Sequence, residues 1–70
     1  MTEEKKMEIA AACRQARLDN GMTVRDMSDF TGKTYSYSEI SLIETGKRKL
    51  PLELAMYYQK IGADISAILS

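Results

Sequence analysis

Few residues of this chain have types and spacings that could carry out catalysis. Asp26 and Asp29 are three residues apart, which is the spacing of an ordinary carboxylate pair on a solvated helix face. Gly32-Lys33-Thr34 resembles the end of a phosphate-binding loop, but no Gly lies five residues earlier and no strand pattern precedes it. The chain has no His and one Cys, which excludes a His-based catalytic centre, a His/Cys zinc site and a disulfide framework. We therefore expect no enzyme activity, no metal, no cofactor and no small-molecule substrate.

The chemistry that remains is the recognition of phosphate by basic side chains. Lys47, Arg48 and Lys49 form the one basic run of the sequence. Residues 46–60 contain four cations and one carboxylate, whereas residues 23–45 contain two cations and four carboxylates. Because phosphate contacts supply much of the affinity for nucleic acid, this distribution predicts a modest set of backbone contacts located after residue 45.

Length and composition indicate one small globular domain over residues 1–70, with its core at about residues 7–69. The chain has 70 residues, of which 44% are hydrophobic and 29% charged. Ten basic residues balance ten acidic ones, an unusual balance for a protein whose partner is nucleic acid. No apolar run approaches the ~18 residues of a membrane span, and the first residues lack a signal-peptide pattern. We therefore expect a cytoplasmic protein that does not contact a membrane.

Glycines and one proline divide the chain into five segments with helical hydrophobic spacing. We predict helices at about residues 4–19, 24–30, 36–45, 52–61 and 65–69, and hence an all-α bundle. The expected inward-facing residues are Ile9, Ala12, Cys13, Ala16, Val24, Met27, Phe30 or Thr31, Ile40, Ile43, Leu54 or Ala55, Tyr58, Ile61, Ile65, Ile68 and Leu69. Met7, Met22 and Met56 are expected to fill the core or its rim.

Two helix starts have strong local signals. Thr23 followed by Asp26, and Ser36 followed by Glu39, have the spacing of capping boxes, in which the first side chain and the acid three residues later satisfy each other's backbone N–H groups. Tyr35 and Ile40 are spaced to form a hydrophobic staple around the second of these starts. Asp64 is placed to cap the last turn.

The order of these segments resembles the lambda-repressor/Cro (Xre-like) family of phage and prokaryotic DNA-binding domains. The segments that carry the resemblance are RLDNGMT (17–23), RDMSDFTG (25–32), SYSEISLIETGKRKLP (36–51) and IGADISAIL (61–69). The resemblance implies a compact five-helix lambda-repressor-like fold with a helix-turn-helix at helices 2 and 3. It also implies operator DNA as the partner, with helix 3 in the major groove of two half-sites if the chain forms a homodimer.

The resemblance also implies roles for individual residues. Arg17 and Glu44 match an ion pair that joins the first and third helices of the family, a structural role. Five residues on the outward side of helix 3 would contact bases or a partner: Tyr37, Ser38, Ser41, Leu42 and Thr45. Five others would lie near phosphates: Lys33, Thr34, Lys47, Arg48 and Lys49.

The chain departs from the family pattern at three places. Lys33 and Thr34 are a two-residue insertion in the turn, Val24 replaces the family's Gln, and the outward side of helix 3 has no Arg, Lys, Asn or Gln for bidentate base contacts. These departures favour an alternative function: an antirepressor or modulator of a phage genetic switch that binds a repressor protein through the surface of helices 2 and 3. A third alternative, an antitoxin, lacks support because no spare neutralising segment is present.

Overall fold

In the computed structural model, which describes residues 3–69, the chain forms five α-helices and those residues contain no strand. The helices are α1 (Glu3–Asp19), α2 (Val24–Phe30), α3 (Tyr37–Glu44), α4 (Leu52–Lys60) and α5 (Ile65–Leu69). The predicted all-α, five-helix class is confirmed, and the predicted boundaries agree to within one residue. α1 packs against α3, α4 and α5, while α2 packs mainly against α3.

Both predicted capping boxes are present. The backbone N–H of Asp26 donates to Oγ1 of Thr23 at 3.0 Å, and Thr23 N–H donates to Oδ2 of Asp26 at 2.8 Å. These bonds lower the pKa of the Asp26 carboxyl, the backbone bond from Thr23 being the main cause. At the start of α3, Glu39 N–H donates to Oγ of Ser36 at 3.2 Å, and the Glu39 carboxylate accepts from Ser36 N–H at 3.4 Å. The starts of α2 and α3 are therefore set by local chemistry.

The core lies between α1 and the other helices. Its fully buried large side chains are Tyr58, Met27, Ile40, Leu54 and Cys13. Tyr35 packs against this core from the turn before α3, as a staple residue would. The far ends of the chain are joined by Lys5 Nζ, which donates to the Ile68 carbonyl oxygen at 2.7 Å.

The structure decides one open choice in the predicted core and differs from the prediction at other positions. At the end of α2, where Phe30 or Thr31 is expected to face inward, Thr31 is buried and Phe30 is 42% exposed. Leu69 was expected to close the core but is 56% exposed, because α5 is a single short turn and a half, and only Ile65 reaches full burial there. Ala10 is buried whereas Ala12 is half-buried, which rotates the inner face of α1 slightly from the prediction. Met7 and Met56 are about half exposed and so lie outside the core.

The turn between α2 and α3 contains Lys33 and Thr34, the two residues that depart from the family pattern. Gly32 and Lys33 have φ angles of 68° and 62°, so two consecutive residues adopt the left-handed conformation. The N–H groups of Gly32 and Lys33 donate to the carbonyls of Asp29 and Ser28, each at 2.9 Å. Ser28 Oγ in turn donates to the carbonyl of Tyr35 at 2.7 Å. The turn is therefore hydrogen-bonded to α2 at both of its ends.

Candidate nucleic-acid interface

The outward side of α3 presents the five residues predicted to contact bases or a partner. α3 buries Ile40, Ile43 and Glu44, which leaves Tyr37, Ser38, Ser41, Leu42 and the C-cap Thr45 exposed. We call these five residues the outer face of α3. Tyr37 is 49% exposed and Leu42 is 36% exposed, so the face combines two large side chains, one of them a phenol, with three small hydroxyl side chains.

One hydroxyl on the outer face of α3 is already engaged. Thr45 Oγ1 donates back to the carbonyls of Ser41 at 3.0 Å and Leu42 at 3.1 Å. Its proton is therefore used within the helix, while its oxygen lone pairs remain able to accept. Ser38 and Ser41 are the hydroxyls of this face that are best placed to donate outward.

Arg25 joins the outer face of α3 from the neighbouring helix. Its Cζ lies 4.7 Å from the centroid of the Tyr37 ring, which is a cation–π distance. The two residues also line a cleft of about 450 Å³ whose other members are Ser28, Asp29, Lys33 and Ser36. Sequence reasoning missed Arg25, because nothing local to α2 signals that its side chain reaches the first residue of α3.

The five residues predicted to contact phosphate are all exposed and lie at the two ends of α3. Lys33 and Thr34 are in the turn before the helix, and Lys47, Arg48 and Lys49 follow it. α3 is eight residues long, so about 12 Å of helix separates the two groups. Arg48 Nη1 lies 3.8 Å from Oε2 of Glu39. Both side chains are half exposed, so this pair contributes little stability and leaves Arg48 able to exchange partners.

A buried cluster holds the inner side of α3 against α1. Nε of Arg17 donates to both carboxylate oxygens of Glu44 at 3.0 Å, and Nη2 lies 2.9 Å from Oε1. Nη1 of Arg17 donates to the Met22 carbonyl at 2.8 Å. The pairing of Arg17 with Glu44 that the resemblance implies is therefore present. Through its bond to the Met22 carbonyl, Arg17 also holds the loop before α2 against α1.

Tyr58 extends this cluster from α4. Its hydroxyl donates to Oε2 of Glu44 at 2.6 Å, and burial followed by this hydrogen bond raises the pKa of Tyr58. Burial, with a smaller effect from Glu44, also raises the pKa of the Cys13 thiol to about 12. Cys13 is therefore a protonated core residue at neutral pH. Of the adjacent tyrosines, Tyr58 faces inward and Tyr57 is half-buried.

A small aromatic contact lies on the α4 side of α2. The rings of Phe30 and Tyr57 meet edge to face with centroids 5.6 Å apart, and Lys60 Nζ lies 5.3 Å from the Tyr57 ring centroid. This contact explains how Phe30 remains at the surface while Thr31 turns inward.

The residues first considered for catalysis lie in α2 and in the turn that follows it. Over residues 3–69, no three His, Cys, Asp or Glu side chains cluster as a metal site would require. The Asp26 carboxylate is engaged in the cap of α2, and Gly32-Lys33-Thr34 lies between two helices. No helix in the described range is long and apolar enough to cross a bilayer.

No protein-family model, curated protein or solved structure matches the chain.

Proposed function

We propose that this chain is a small transcriptional regulator of the lambda-repressor/Cro kind, with a lambda-repressor-like fold and a helix-turn-helix formed by α2 and α3. It binds operator DNA by placing α3 in the major groove. The observation that carries the proposal is the position of the exposed cations. They lie at both ends of α3, on either side of a solvent-facing surface of hydroxyl and apolar groups.

The dimensions of α3 suit this role. The major groove is about 12 Å wide and admits one α-helix. With the outer face of α3 against the base edges, Lys33 and Thr34 are available to phosphates near the start of the helix and residues 47–49 to phosphates near its end. Phosphate contacts at both ends fix the register and orientation of a helix in the groove. The buried Arg17–Glu44 pair serves this function indirectly, by holding α3 to α1.

The outer face of α3 offers few side chains that can form specific hydrogen bonds to base edges. Ser38 and Ser41 can bond to several bases, and Leu42 can contact a thymine methyl group. Arg25 supplies the guanidinium that α3 itself lacks, because its contact with Tyr37 holds it beside the first turn of α3. We therefore expect the strongest base or phosphate preference at the end of the half-site that faces Arg25 and Tyr37.

Salt dependence tests the electrostatic part of the proposal. With about four phosphates contacted, the logarithm of the binding constant falls with the logarithm of salt concentration at a slope of about −3.6. The measurement is fluorescence anisotropy of the purified protein with the DNA upstream of its own gene, over a salt series. Lys47→Ala and Lys49→Ala each reduce the slope by about 1, whereas Arg14→Ala, an exposed cation on α1, leaves it unchanged. Absence of any sequence preference at low salt contradicts the proposal.

A homodimer on DNA is part of the same proposal. Two copies related by a two-fold axis read half-sites about 34–36 Å apart along one face of the duplex. A footprint with two protected major grooves at this separation supports the dimer, and protection of a single groove contradicts it.

The second candidate function is binding to a repressor protein through the same surface. It is favoured by the exposed Leu42 and Tyr37, which occupy positions where a base-reading helix carries polar side chains. Such an antirepressor removes the DNA footprint of the repressor that it binds, without producing a footprint of its own. Leu42→Ser abolishes this effect if protein binding is the function. The variant changes base preference at one position if DNA binding is the function.

A further inference from the structure

An apolar groove lies between α1, α4 and α5, on a surface separate from the outer face of α3. It has a volume of about 500 Å³. Its floor is formed by buried side chains of four elements: Ile9, Ala10, Ile43, Ala55 and Ile65. The groove therefore reaches the hydrophobic core directly.

Two leucines extend the groove outward into solvent. Leu52, at the first position of α4, is 81% exposed, and Leu69, at the end of α5, is 56% exposed. A single exposed leucine is ordinary on a protein surface. Two of them beside an open apolar floor form a continuous apolar surface, which is typical of an interaction site.

The charged residues that line the groove all have the same sign. They are Lys6 on α1 and Arg48 and Lys49 in the segment before α4, and among the described residues that line the groove there is no carboxylate. An occupant that matches this surface has an apolar body and negative charges at its edge, since complementary potentials favour association.

We propose that this groove binds an amphipathic helix of another protein, with large aliphatic side chains on one face and Asp or Glu residues beside that face. A helix is about 10–12 Å across, so one laid along the groove covers the floor and both leucines. A small amphiphilic anion confined to the cavity covers less of the two exposed leucines than a helix does. A second copy docking groove to groove places two sets of these three cations in one interface, with no carboxylate from the groove lining to balance them, which is unfavourable.

The position of the groove has a regulatory consequence, which rests on the proposed DNA binding. Arg48 and Lys49 line the groove and also belong to the cations that follow α3. Carboxylates of a bound helix compete with DNA phosphates for these two side chains. The acidic helix and DNA therefore weaken each other's binding, by the same factor in each direction.

A display selection tests the groove without reference to DNA. The probe is a library of helix-forming peptides of about 16 residues, with Leu fixed at i, i+3, i+4 and i+7 and the flanking positions varied among Glu, Lys and Ser. The library is selected in parallel on the wild-type protein and on Leu52→Ser, a substitution at an exposed position that leaves the core intact. The expected result is enrichment of Glu-flanked peptides on the wild-type protein only.

Matched variants then locate the binding site of an enriched peptide. Leu52→Ser and Leu69→Ser weaken its binding by about tenfold or more, and Lys49→Glu weakens it further than Arg14→Glu. Met56→Ser is the apolar control, because Met56 is 57% exposed on the same helix as Leu52 but does not line the groove. Its effect stays within about twofold of wild type.

Three results overturn the proposal of a groove for an acidic helix. The first is equal enrichment of peptides on the wild-type protein and on Leu52→Ser, which includes no enrichment on either. The second is enrichment of Lys-flanked peptides. The third is self-association of the protein in sedimentation that Leu52→Ser abolishes. The competition with DNA is measured separately, by adding the enriched peptide to the protein–DNA complex. Peptide binding with no effect on DNA binding overturns the competition alone, and failure of DNA binding leaves the peptide result standing.

Discussion

The hydroxyl of Tyr58 lies 2.6 Å from Oε2 of Glu44, and this hydrogen bond connects α4 to the ion pair that joins α1 and α3. Glu44 thus accepts from two side chains on two different helices. Because each donor is buried, the carboxylate has its partners within the protein, and α3 is held on its inner side by two helices, α1 and α4.

Tyr58→Phe removes this hydroxyl while keeping the ring. We expect a loss of about 1–3 kcal/mol in the free energy of unfolding, because a buried carboxylate oxygen loses a donor. Urea denaturation followed by circular dichroism measures the change. Tyr57→Phe is the control, since Tyr57 is only half-buried and its ring makes the surface contacts. Equal losses in the two variants would show that the Tyr58–Glu44 bond contributes nothing.

Lys33→Gly distinguishes the contribution of the Lys33 charge to DNA binding from the contribution of this position to the stability of the α2–α3 turn. Lys33 has a φ of 62°, a conformation that costs a residue with a side chain roughly 1–2 kcal/mol. Lys33→Gly removes this cost, and the larger conformational entropy that Gly loses on folding offsets part of the gain in stability. We expect a melting temperature equal to or slightly above that of wild type, together with weaker DNA binding and a salt slope reduced by about 1. Lys33→Ala keeps the strain and should lose the same affinity without the gain in stability. Unchanged DNA affinity in both variants would remove Lys33 from the interface.

Arg25 and Tyr37 should act as a pair in DNA binding. A double-mutant cycle with Arg25→Ala and Tyr37→Ala, measured on the DNA-binding free energy, should give a coupling of about 0.5–1 kcal/mol, because the ring holds the guanidinium at the end of α3. Tyr37→Phe preserves the stacking of the guanidinium on the ring. In the Tyr37→Phe background, Arg25→Ala should therefore weaken DNA binding as much as it does in the wild-type protein. Simple additivity of the two alanine substitutions would mean that the stack does not position Arg25.

The Cys13 thiol makes stability depend on pH in the alkaline range. Its pKa is about 12 in the folded protein, above the reference value of 9.0 for the free thiol. The unfolded chain releases this proton first, so the stabilisation is complete below pH 9 and declines as pH rises from 9 towards 12. Urea denaturation at pH 8 and at pH 10.5 measures the decline, and the stability of Cys13→Ala should decline less steeply.

At pH 8 a thiol reagent should label Cys13 at least about a hundredfold faster in urea than in buffer, and equal rates would place the thiol outside the core.

The helices themselves were predictable from local sequence because their signals are local. The Thr23–Asp26 and Ser36–Glu39 boxes specify where α2 and α3 begin, and each needs only residues three apart in the chain. The hydrophobic spacing likewise predicted most of the core, including Cys13, Met27, Ile40 and Tyr58. The outer face of α3 follows from the same helical period, once its inner face is known.

Apart from the Arg17–Glu44 pair, which the resemblance implied, only the tertiary structure decided which side chains meet across the chain. The sequence alone indicated five helices, their starts, and the exposed cations around α3. It could not show that Tyr58 reaches Glu44, that Arg25 reaches Tyr37, or that Leu69 stays outside the core. The two contacts join residues on different helices. The way in which the packed helices cross and rotate determines these contacts and also the exposure of Leu69. The apolar groove has the same origin, because its floor and its cations exist as one surface only after α1, α4 and α5 have packed together.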